Sequence, residues 1–432
     1  MALSFIAAPA FAQAAATPAP DKGDTAWMMV STLLVLLMIL PGLQLFYGGL
    51  VRTKNMLSVM TQIGAATCLA MLMWVAFGYS VAFGPDAPAP FTPFLAGLDR
   101  AFLAGITPDS TAATFTKGVV IPEYVFICFQ MTFAAITLSI VLGGIVERVK
   151  FSALMVFALV WMPIVYLPIA HMVWASSGLF FAMGALDFAG GTVVHINAGV
   201  AALVAAIVAG KRLGYMRDSM APHSLTLTLV GTGLLWVGWF GFNAGSALEA
   251  NGSAALAMIN SFVATAAGGL AWLAAERAFN HKPSALGLAS GIVAGLVAVT
   301  PAAGNAGPLG AILLGAVTAV ACYIAVGIVR PRLRYDDSLD AFGIHGVGGI
   351  MGAIGTAIVY APSLGGPGPA DYDMLAKIGV QLAAVATTIA WSVIGTLIAL
   401  AVAKAVTGLR VTSEAEREGL DLAEHGERAY NL

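Results

Sequence analysis

The chain has 432 residues, of which 59% are hydrophobic and only 10% are charged, and its formal net charge is −2. Soluble domains contain about 25% charged residues, so this chain has too few charges to cover a surface that faces water. The charge balance also excludes the basic surface of a nucleic-acid-binding protein. The three cysteines are far apart within apolar runs and form neither a disulfide framework nor a metal-ligand spacing. The composition therefore predicts a polytopic membrane protein without a metal or cofactor.

The first residues of the chain form a short apolar run that ends in Ala-Phe-Ala-Gln-Ala. A run of this length followed by small residues is typical of a signal peptide, and we predict one over residues 1–16. It lacks the basic residues that usually begin such a peptide. The alternative is an external tail that continues into residues 17–20.

Apolar segments of about 20 residues, the length that spans a bilayer, alternate with short polar breaks through the rest of the chain. The breaks are too short to hold a soluble domain. The sequence predicts an all-α protein with a transmembrane domain over residues 24–407 and a charged tail over residues 408–432. The eleven predicted spans begin at Trp27, Met56, Val119, Phe151, Thr192, Ser224, Ala254, Ser284, Pro308, Ala341 and Lys377.

The basic residues predict the orientation of these spans. When the breaks are assigned alternately to two sides, sixteen of the 20 Lys and Arg residues fall on the side of the tail. Loops in the cytoplasm carry an excess of Lys and Arg. We therefore predict that the N-terminus lies outside the cell and the C-terminus inside. The four basic residues on the other side are Lys22, Arg100, Lys117 and Lys377.

Two histidines lie at membrane depth, where an ionisable side chain is costly and suggests function. His195 lies in the fifth predicted span and His345 in the tenth. A duplication of five spans would invert the second half relative to the first, so that equivalent positions face each other near the membrane centre. Such a pair could relay a proton, whereas the alternative is two separate histidines that serve packing. Asp187 precedes the fifth span, where it could cap the helix or attract cations.

Aromatic side chains and one hydroxyl group suggest a site for a small cation. Phe129 and Phe133 share one face of the third span, and Trp174 ends the fourth. Phe242 and Ser246 end the sixth span, one helical turn apart. Aromatic faces and a hydroxyl acceptor can bind an ammonium-like cation, although each group alone is more often packing.

Five motifs together resemble those of the ammonium transporter family (Amt/Mep, related to Rhesus proteins). The resemblance extends from about residue 24 to residue 430. It implies eleven spans, an inverted repeat of spans 1–5 and 6–10 followed by an eleventh span, and a homotrimer with one pore per subunit. The motifs occupy residues 41–49, 170–174, 187–197, 238–246 and 342–346.

The resemblance also implies roles for individual residues. Phe133, Trp174 and Ser246 match the external ammonium-recruitment site, and Phe133 and Phe242 match the phenyl gate beneath it. His195 and His345 match the twin histidines of the pore. Trp174 and Ser246 favour the Amt branch over the Rhesus branch. The supporting residues implied are Asp187, Phe129, Leu43, Phe46, Trp239 and Thr300.

Gln44 departs from the family pattern, because a small residue is common beside the pore-lining Leu43. The sequence leaves open whether Gln44 faces the pore.

The function that the resemblance implies is uptake of ammonium across a bacterial inner membrane. Ammonium would lose a proton, ammonia would cross the apolar pore, and the proton would pass through the histidines. Methylammonium is left open as an analogue. The charged tail resembles a cytoplasmic segment that supports control by a PII-type signal protein. The alternatives are an ammonium sensor on the same scaffold and an electroneutral ammonia channel. An enzyme is not predicted, because the spans contain no cluster of catalytic residue types.

Overall fold

Residues 18–430 contain eleven helices that are long and apolar enough to cross a membrane, which confirms the predicted span count. The computed structural model describes residues 18–430, and the predicted signal peptide lies outside the described residues. The helices are α1 (Lys22–Leu50), α2 (Thr53–Phe83), α3 (Glu123–Gly144), α4 (Phe151–Ala182), α5 (Gly191–Ala209), α6 (Leu225–Gly245), α7 (Gly252–Ala278), α8 (Ala285–Ala302), α9 (Pro308–Leu333), α10 (Phe342–Val359) and α11 (Met374–Thr407).

Polar residues just outside the apolar runs decide where the helices begin. The first N–H groups of a helix have no partner within the helix and need an acceptor. Asp21 accepts from the N–H groups of Gly23 and Asp24, so α1 begins five residues before the predicted Trp27. Asn251 likewise accepts from the second and third residues of α7. Hydropathy alone therefore located the spans but not their ends.

Several helices change geometry at the depth where the site lies. In α1 the backbone leaves the helical region at Leu40, ahead of Pro41, which has no N–H to donate. The segments Gly191–Ile196 in α5 and Phe342–Gly346 in α10 form wide π-helical turns. Such turns are frequent at functional sites, and these two carry His195 and His345.

Small residues let the central helices α5 and α10 approach closely. A Cβ atom at Gly199 would lie 2.2 Å from the backbone nitrogen of Gly346, and one at Gly349 would lie 2.9 Å from that of Ile196. Within a membrane, close backbone packing of this kind is a principal source of helix association. Larger side chains here would push the two histidine-bearing turns apart.

The connections between helices gather on two faces. The face that carries residues 84–122 is called the loop face, and the opposite one, which carries residues 408–430, is called the tail face. On the loop face β1 (Thr111–Ala113) pairs antiparallel with β2 (Val120–Pro122). Short 3₁₀ turns occupy Ala101–Leu103 and Pro362–Leu364. The tail forms two short helices, α12 (Ser413–Glu418) and α13 (Leu420–His425).

A buried ionic network joins three connections on the tail face. Glu147, which follows α3, binds Arg52 at 3.0 Å and Arg212 at 2.6 Å. Arg212 also binds Asp336, which precedes α10, at 2.7 Å. Burial raises the pKa of Glu147, but the guanidinium groups of Arg212 and Arg52 outweigh burial and hold the pKa below its usual value. The basic residues of this network lie on the face to which the sequence assigned them, while the orientation of that face in the cell stays a prediction.

The tail packs onto this network rather than extending away from it. Glu416 accepts a hydrogen bond from the backbone nitrogen of Leu213 at 2.6 Å. Asp421 accepts one from the backbone nitrogen of Ser58, near the start of α2, at 2.7 Å. The side-chain oxygen of Asn55 accepts from the nitrogen of Leu420 at 2.8 Å. The tail is therefore a built part of the tail face.

Candidate functional site

The two histidines predicted from their positions in the fifth and tenth spans lie side by side in the centre of the protein. The Nδ1 atoms of His195 and His345 are 3.2 Å apart, and the ring centroids are 5.3 Å apart with planes tilted by 22°. Both side chains are buried. One Nδ1 must carry a hydrogen and the other must accept it, so that the pair can exchange a proton between equivalent atoms.

An aspartate begins each of the two helices that carry these histidines. Asp187 accepts hydrogen bonds from Gly190, Gly191, Thr192 and Val193 at 2.6–3.2 Å, so it caps α5, as the sequence suggested. The backbone oxygen of Asp187 also accepts from the Trp174 indole at 3.0 Å.

Asp337 does the same for α10, accepting from Ala341 at 3.1 Å and Phe342 at 2.8 Å. Sequence reasoning missed this residue. The available signal was spacing, because His195 and His345 each follow their aspartate by eight residues. The repeated pair is what an inverted duplication would leave.

Aromatic rings form a column on the loop-face side of the histidines. Phe133 stacks on Phe242 with centroids 4.2 Å apart and planes tilted by 20°. Trp174 meets Phe133 edge-on at 5.6 Å, and Phe129 adjoins it at 4.9 Å. Phe242 in turn lies 6.0 Å from the ring of His195. The predicted recruitment and gate residues are thus continuous with the histidine pair.

Ser246 lies one helical turn beyond Phe242, at the loop-face end of α6. Its hydroxyl donates to the backbone oxygen of Phe242 at 2.8 Å. Because the hydrogen is used in this bond, the oxygen keeps its lone pairs to accept from a cation that carries N–H groups. The hydroxyl can therefore serve as the acceptor predicted at this position.

The remaining predicted residues surround the histidines or lie beneath them. Trp239 stacks on His195 at 5.4 Å, and its indole nitrogen donates to Thr300 at 3.0 Å. Leu43 and Phe46 are buried in α1. The amide of Gln44, in contrast, donates to the Met60 backbone oxygen in α2 at 2.9 Å. Gln44 thus joins α1 to α2. The sequence left open whether this side chain faces the pore, and the bond directs its amide toward α2 instead.

A cavity of about 450 Å³ opens from the tail face to His345. Its wall includes Phe46, Tyr323 and Trp272 together with the ion pair of Arg330 and Asp340. The cavity begins on the side of the histidines opposite to the phenyl stack. The rings of Phe133, Phe242, His195 and His345 form a continuous series on the other side of this cavity.

The site contains aromatic, hydroxyl and imidazole groups, and no metal-ligand cluster occurs in residues 18–430. The two imidazoles form a hydrogen bond with each other. The Nε2 atom of His195 has no hydrogen-bond partner among residues 18–430. Chemically, the column can attract a cation, accept its hydrogen bonds and receive a proton, but it offers no full negative charge within the stack.

Comparisons with known proteins agree over nearly the whole chain. The sequence profile of the Ammonium Transporter Family matches residues 26–430. An ammonium transporter of Aquifex aeolicus is 47% identical over 95% of this chain and 94% of the relative. An ammonium transporter of Bacillus subtilis is 44% identical over 95% of this chain and 99% of the relative.

Solved structures show the same architecture. Saccharomyces cerevisiae Mep2 superposes with a TM-score of 0.80 and 34% identity, covering 91% of each chain. A structure described as a sensor Amt protein has a TM-score of 0.84 and 30% identity, covering 93% of this chain and 98% of its own. The family profile, the relatives and the eleven-helix fold lead to one conclusion: the chain is a multi-pass membrane protein that belongs to the ammonium transporter family.

Proposed function

We propose that this protein carries ammonium across the membrane by separating it into ammonia and a proton. The observation that carries the proposal is the contact of His195 with His345 directly beneath the stacked rings of Phe133 and Phe242. Ammonium would bind at Phe133, Trp174 and Ser246, lose its proton beneath the gate and continue as ammonia. The family membership and the relatives' names support ammonium as the substrate.

Deprotonation explains how such a site distinguishes ammonium from potassium. The two cations have the same charge, so a charged hole of suitable width would admit both. Potassium has no N–H group to donate to Ser246 and no proton to release. Moving a bare cation through the apolar pore costs many kcal/mol, whereas neutral ammonia avoids this cost. A selective pore therefore needs a weak cation site followed by a proton acceptor.

The imidazole pair provides the separate route for the proton. A proton that arrives at one imidazole can be matched by release from the other, because the Nδ1 atoms are within hydrogen-bond distance. The cavity below His345 then receives both products. Net transport is thus of ammonium and carries charge.

The setting of this transporter is part of the same proposal. The basic tail face would lie in the cytoplasm, as the Lys and Arg distribution predicts. The protein would form a trimer in a bacterial inner membrane, with one pore per subunit, and the packed tail would support control by a PII-type protein. The apolar side chains exposed on α1, α6, α7 and α9 provide surface for lipid and for neighbouring subunits.

The direct test is current from proteoliposomes on a solid-supported membrane. Pulses of ammonium should give an inward positive current, and equal pulses of potassium should give none. A potassium current of similar size in the unmodified protein would refute the deprotonation mechanism. Charge-free uptake of ammonia would instead support the electroneutral channel.

Replacing a pore histidine should change the selectivity. We expect His195→Asp or His345→Asp to admit potassium, because a buried carboxylate can offset the charge of a desolvated cation. His223→Asp, outside the spans, is the matched control and should still exclude potassium. If the histidines serve only packing, the pore variants should lose about 2–4 kcal/mol of stability without a potassium current. Intact pore variants that exclude potassium and conduct ammonium normally would defeat the relay.

A further inference from the structure

A buried hydrogen-bond chain leads from α7 to the indole that covers His195. Ser261 in α7 donates its hydroxyl hydrogen to the backbone oxygen of Ala257 at 2.7 Å. Its oxygen accepts from the side-chain nitrogen of Asn243 in α6 at 2.8 Å. This bond turns the amide oxygen of Asn243 toward Thr300 in α8, at 3.3 Å.

The direction of the hydrogen bond between Trp239 and Thr300 is fixed. The single hydroxyl hydrogen of Thr300 has two acceptors, the backbone oxygen of Leu296 at 2.8 Å and the amide oxygen of Asn243. Whichever acceptor takes it, the hydrogen points away from Trp239, and a lone pair of the Thr300 oxygen faces the indole. An indole nitrogen can only donate. It does so to Thr300 at 3.0 Å.

This arrangement leaves one nitrogen of the histidine pair without a partner. His195 uses Nδ1 toward His345, while its Nε2 is buried and has no hydrogen-bond partner among the described residues. A buried polar atom without a partner is unfavourable and calls for an explanation. The indole of Trp239 lies against this ring at 5.4 Å, but its N–H is bound to Thr300 and only its face is presented.

We propose that Thr300, held by Asn243 and Ser261, is a positioning residue that keeps the Trp239 N–H out of the pore. When the hydrogen shared by the two Nδ1 atoms is on His195, the Nε2 atom of His195 is an acceptor, and the role of Thr300 is to keep that acceptor for the transported molecule. Without the Thr300 acceptor, the indole N–H turns toward the imidazole and competes with the substrate. The inference rests on the proposed function, since it concerns the same proton acceptor.

Replacing Thr300 separates this role from packing. Thr300→Val keeps the shape but removes the acceptor. Because one buried hydrogen bond changes a rate by about fivefold, we expect the maximal ammonium current to fall by about that factor or more. The half-saturating ammonium concentration should change less than about twofold, because the recruitment residues are untouched. Thr300→Ser, which restores a hydroxyl, should recover most of the current.

A double-mutant cycle gives the decisive result. In a Trp239→Phe background the aromatic face remains but there is no N–H to misdirect, so Thr300→Val should cause little further loss. An equal loss in both backgrounds, or a Thr300→Ser variant as impaired as Thr300→Val, would overturn the inference. Trimer recovery and thermal midpoint are checked for every variant. If Thr300→Val does not fold, Thr300→Cys replaces it, since its sulfur is a weak acceptor.

The cycle also distinguishes this inference from the proposed function. Absence of ammonium current in the unmodified protein would sink the transport mechanism itself. A normal current in the unmodified protein with uncoupled Thr300 and Trp239 effects would leave transport intact and remove only the positioning role.

Discussion

The two helices that carry the paired histidines begin with the same device in different electrostatic surroundings. At α5, Asp187 takes four backbone N–H groups and lies beside the Trp174 indole. At α10, Asp337 takes the N–H groups of Ala341 and Phe342, and next to it lie Asp336 and the Arg330–Asp340 pair. The helix α5 thus begins at an isolated carboxylate, whereas α10 begins beside a network of charges.

Under the proposed mechanism, this difference would separate the recruitment of ammonium from control by the tail. An uncharged aromatic surface near Asp187 suits a site that must attract ammonium without holding it. The ionic surroundings of Asp337 instead connect α10, through Asp336 and Arg212, to the segment that binds the tail. Under the proposed mechanism, an aspartate that starts a helix would therefore serve binding at one face, and at the other it lies beside the charges that lead to the tail.

The largest expected effect comes from removing the isolated cap. Asp187→Ala should destabilise the protein by about 3 kcal/mol, because four N–H groups lose a charged acceptor. Ammonium current should fall with it, since the Trp174 contact depends on the same turn. Thermal unfolding and current on the same preparations measure both effects. Asp187→Asn keeps an acceptor and is the matched control, expected to lose less.

A smaller effect is expected at the other helix. Asp337→Ala should cost about 1 kcal/mol, the contribution typical of one capping residue, because removing this carboxylate also relieves its repulsion with Asp340. Unfolding of the two alanine variants side by side tests the ranking. Equal losses would contradict the electrostatic difference between the two ends.

The pH dependence of stability sharpens the comparison further. Burial and the neighbouring Asp340 raise the pKa of Asp337 to about 7. A raised carboxyl pKa lowers stability as pH rises from the unfolded value of about 4 to the folded value. Asp337→Asn lacks this loss, so its thermal midpoint relative to the unmodified protein should rise across that window. A difference that stays constant with pH would refute the shift.

The smallest expected effect is that of the tail. Deleting residues 411–432 removes the Glu416 contact to Leu213 and the Asp421 contact to Ser58. We expect an intact trimer with reduced maximal current or lost control by a PII-type partner, and an unchanged half-saturating concentration. The double variant Glu414→Gln and Glu418→Gln changes two exposed tail charges and is the control. Unchanged transport, partner binding and inhibition after deletion would show that the tail is only a solvated end.

Hydropathy and charge in the sequence were sufficient to predict the eleven spans, because each is a run of apolar residues with a polar end. A contact between His195 and His345 was one of two alternatives that the sequence left open, and it was favoured by their depth and by their separation of five spans, an odd number. The capping role of Asp337 was missed because an aspartate beside other charges looks like an ordinary loop residue. The spacing that it shares with Asp187 becomes meaningful only when the two helices are compared.

Hydrogen-bond direction could not be predicted at all. Asn243 and Ser261 lie on different helices, and nothing in the sequence indicates that one donates to the other. The orientation of Gln44 toward Met60 could not be predicted either. Within one turn of a helix, some residues face the centre of the protein and others face a neighbouring helix. Such contacts depend on rotation of each helix about its axis, which an almost uniformly apolar sequence leaves unspecified.

The ionic network on the tail face also bears on the order of assembly during synthesis. Glu147 meets Arg52 as soon as the third span has been made, but Arg212 emerges only after the fifth. The second carboxylate of Arg212, Asp336, belongs to the other half of the chain and is translated after nine spans have been inserted. Arg212 therefore remains incompletely paired until the two halves meet. A chain arrested before that point would contain Arg212 with only one of its two carboxylate partners.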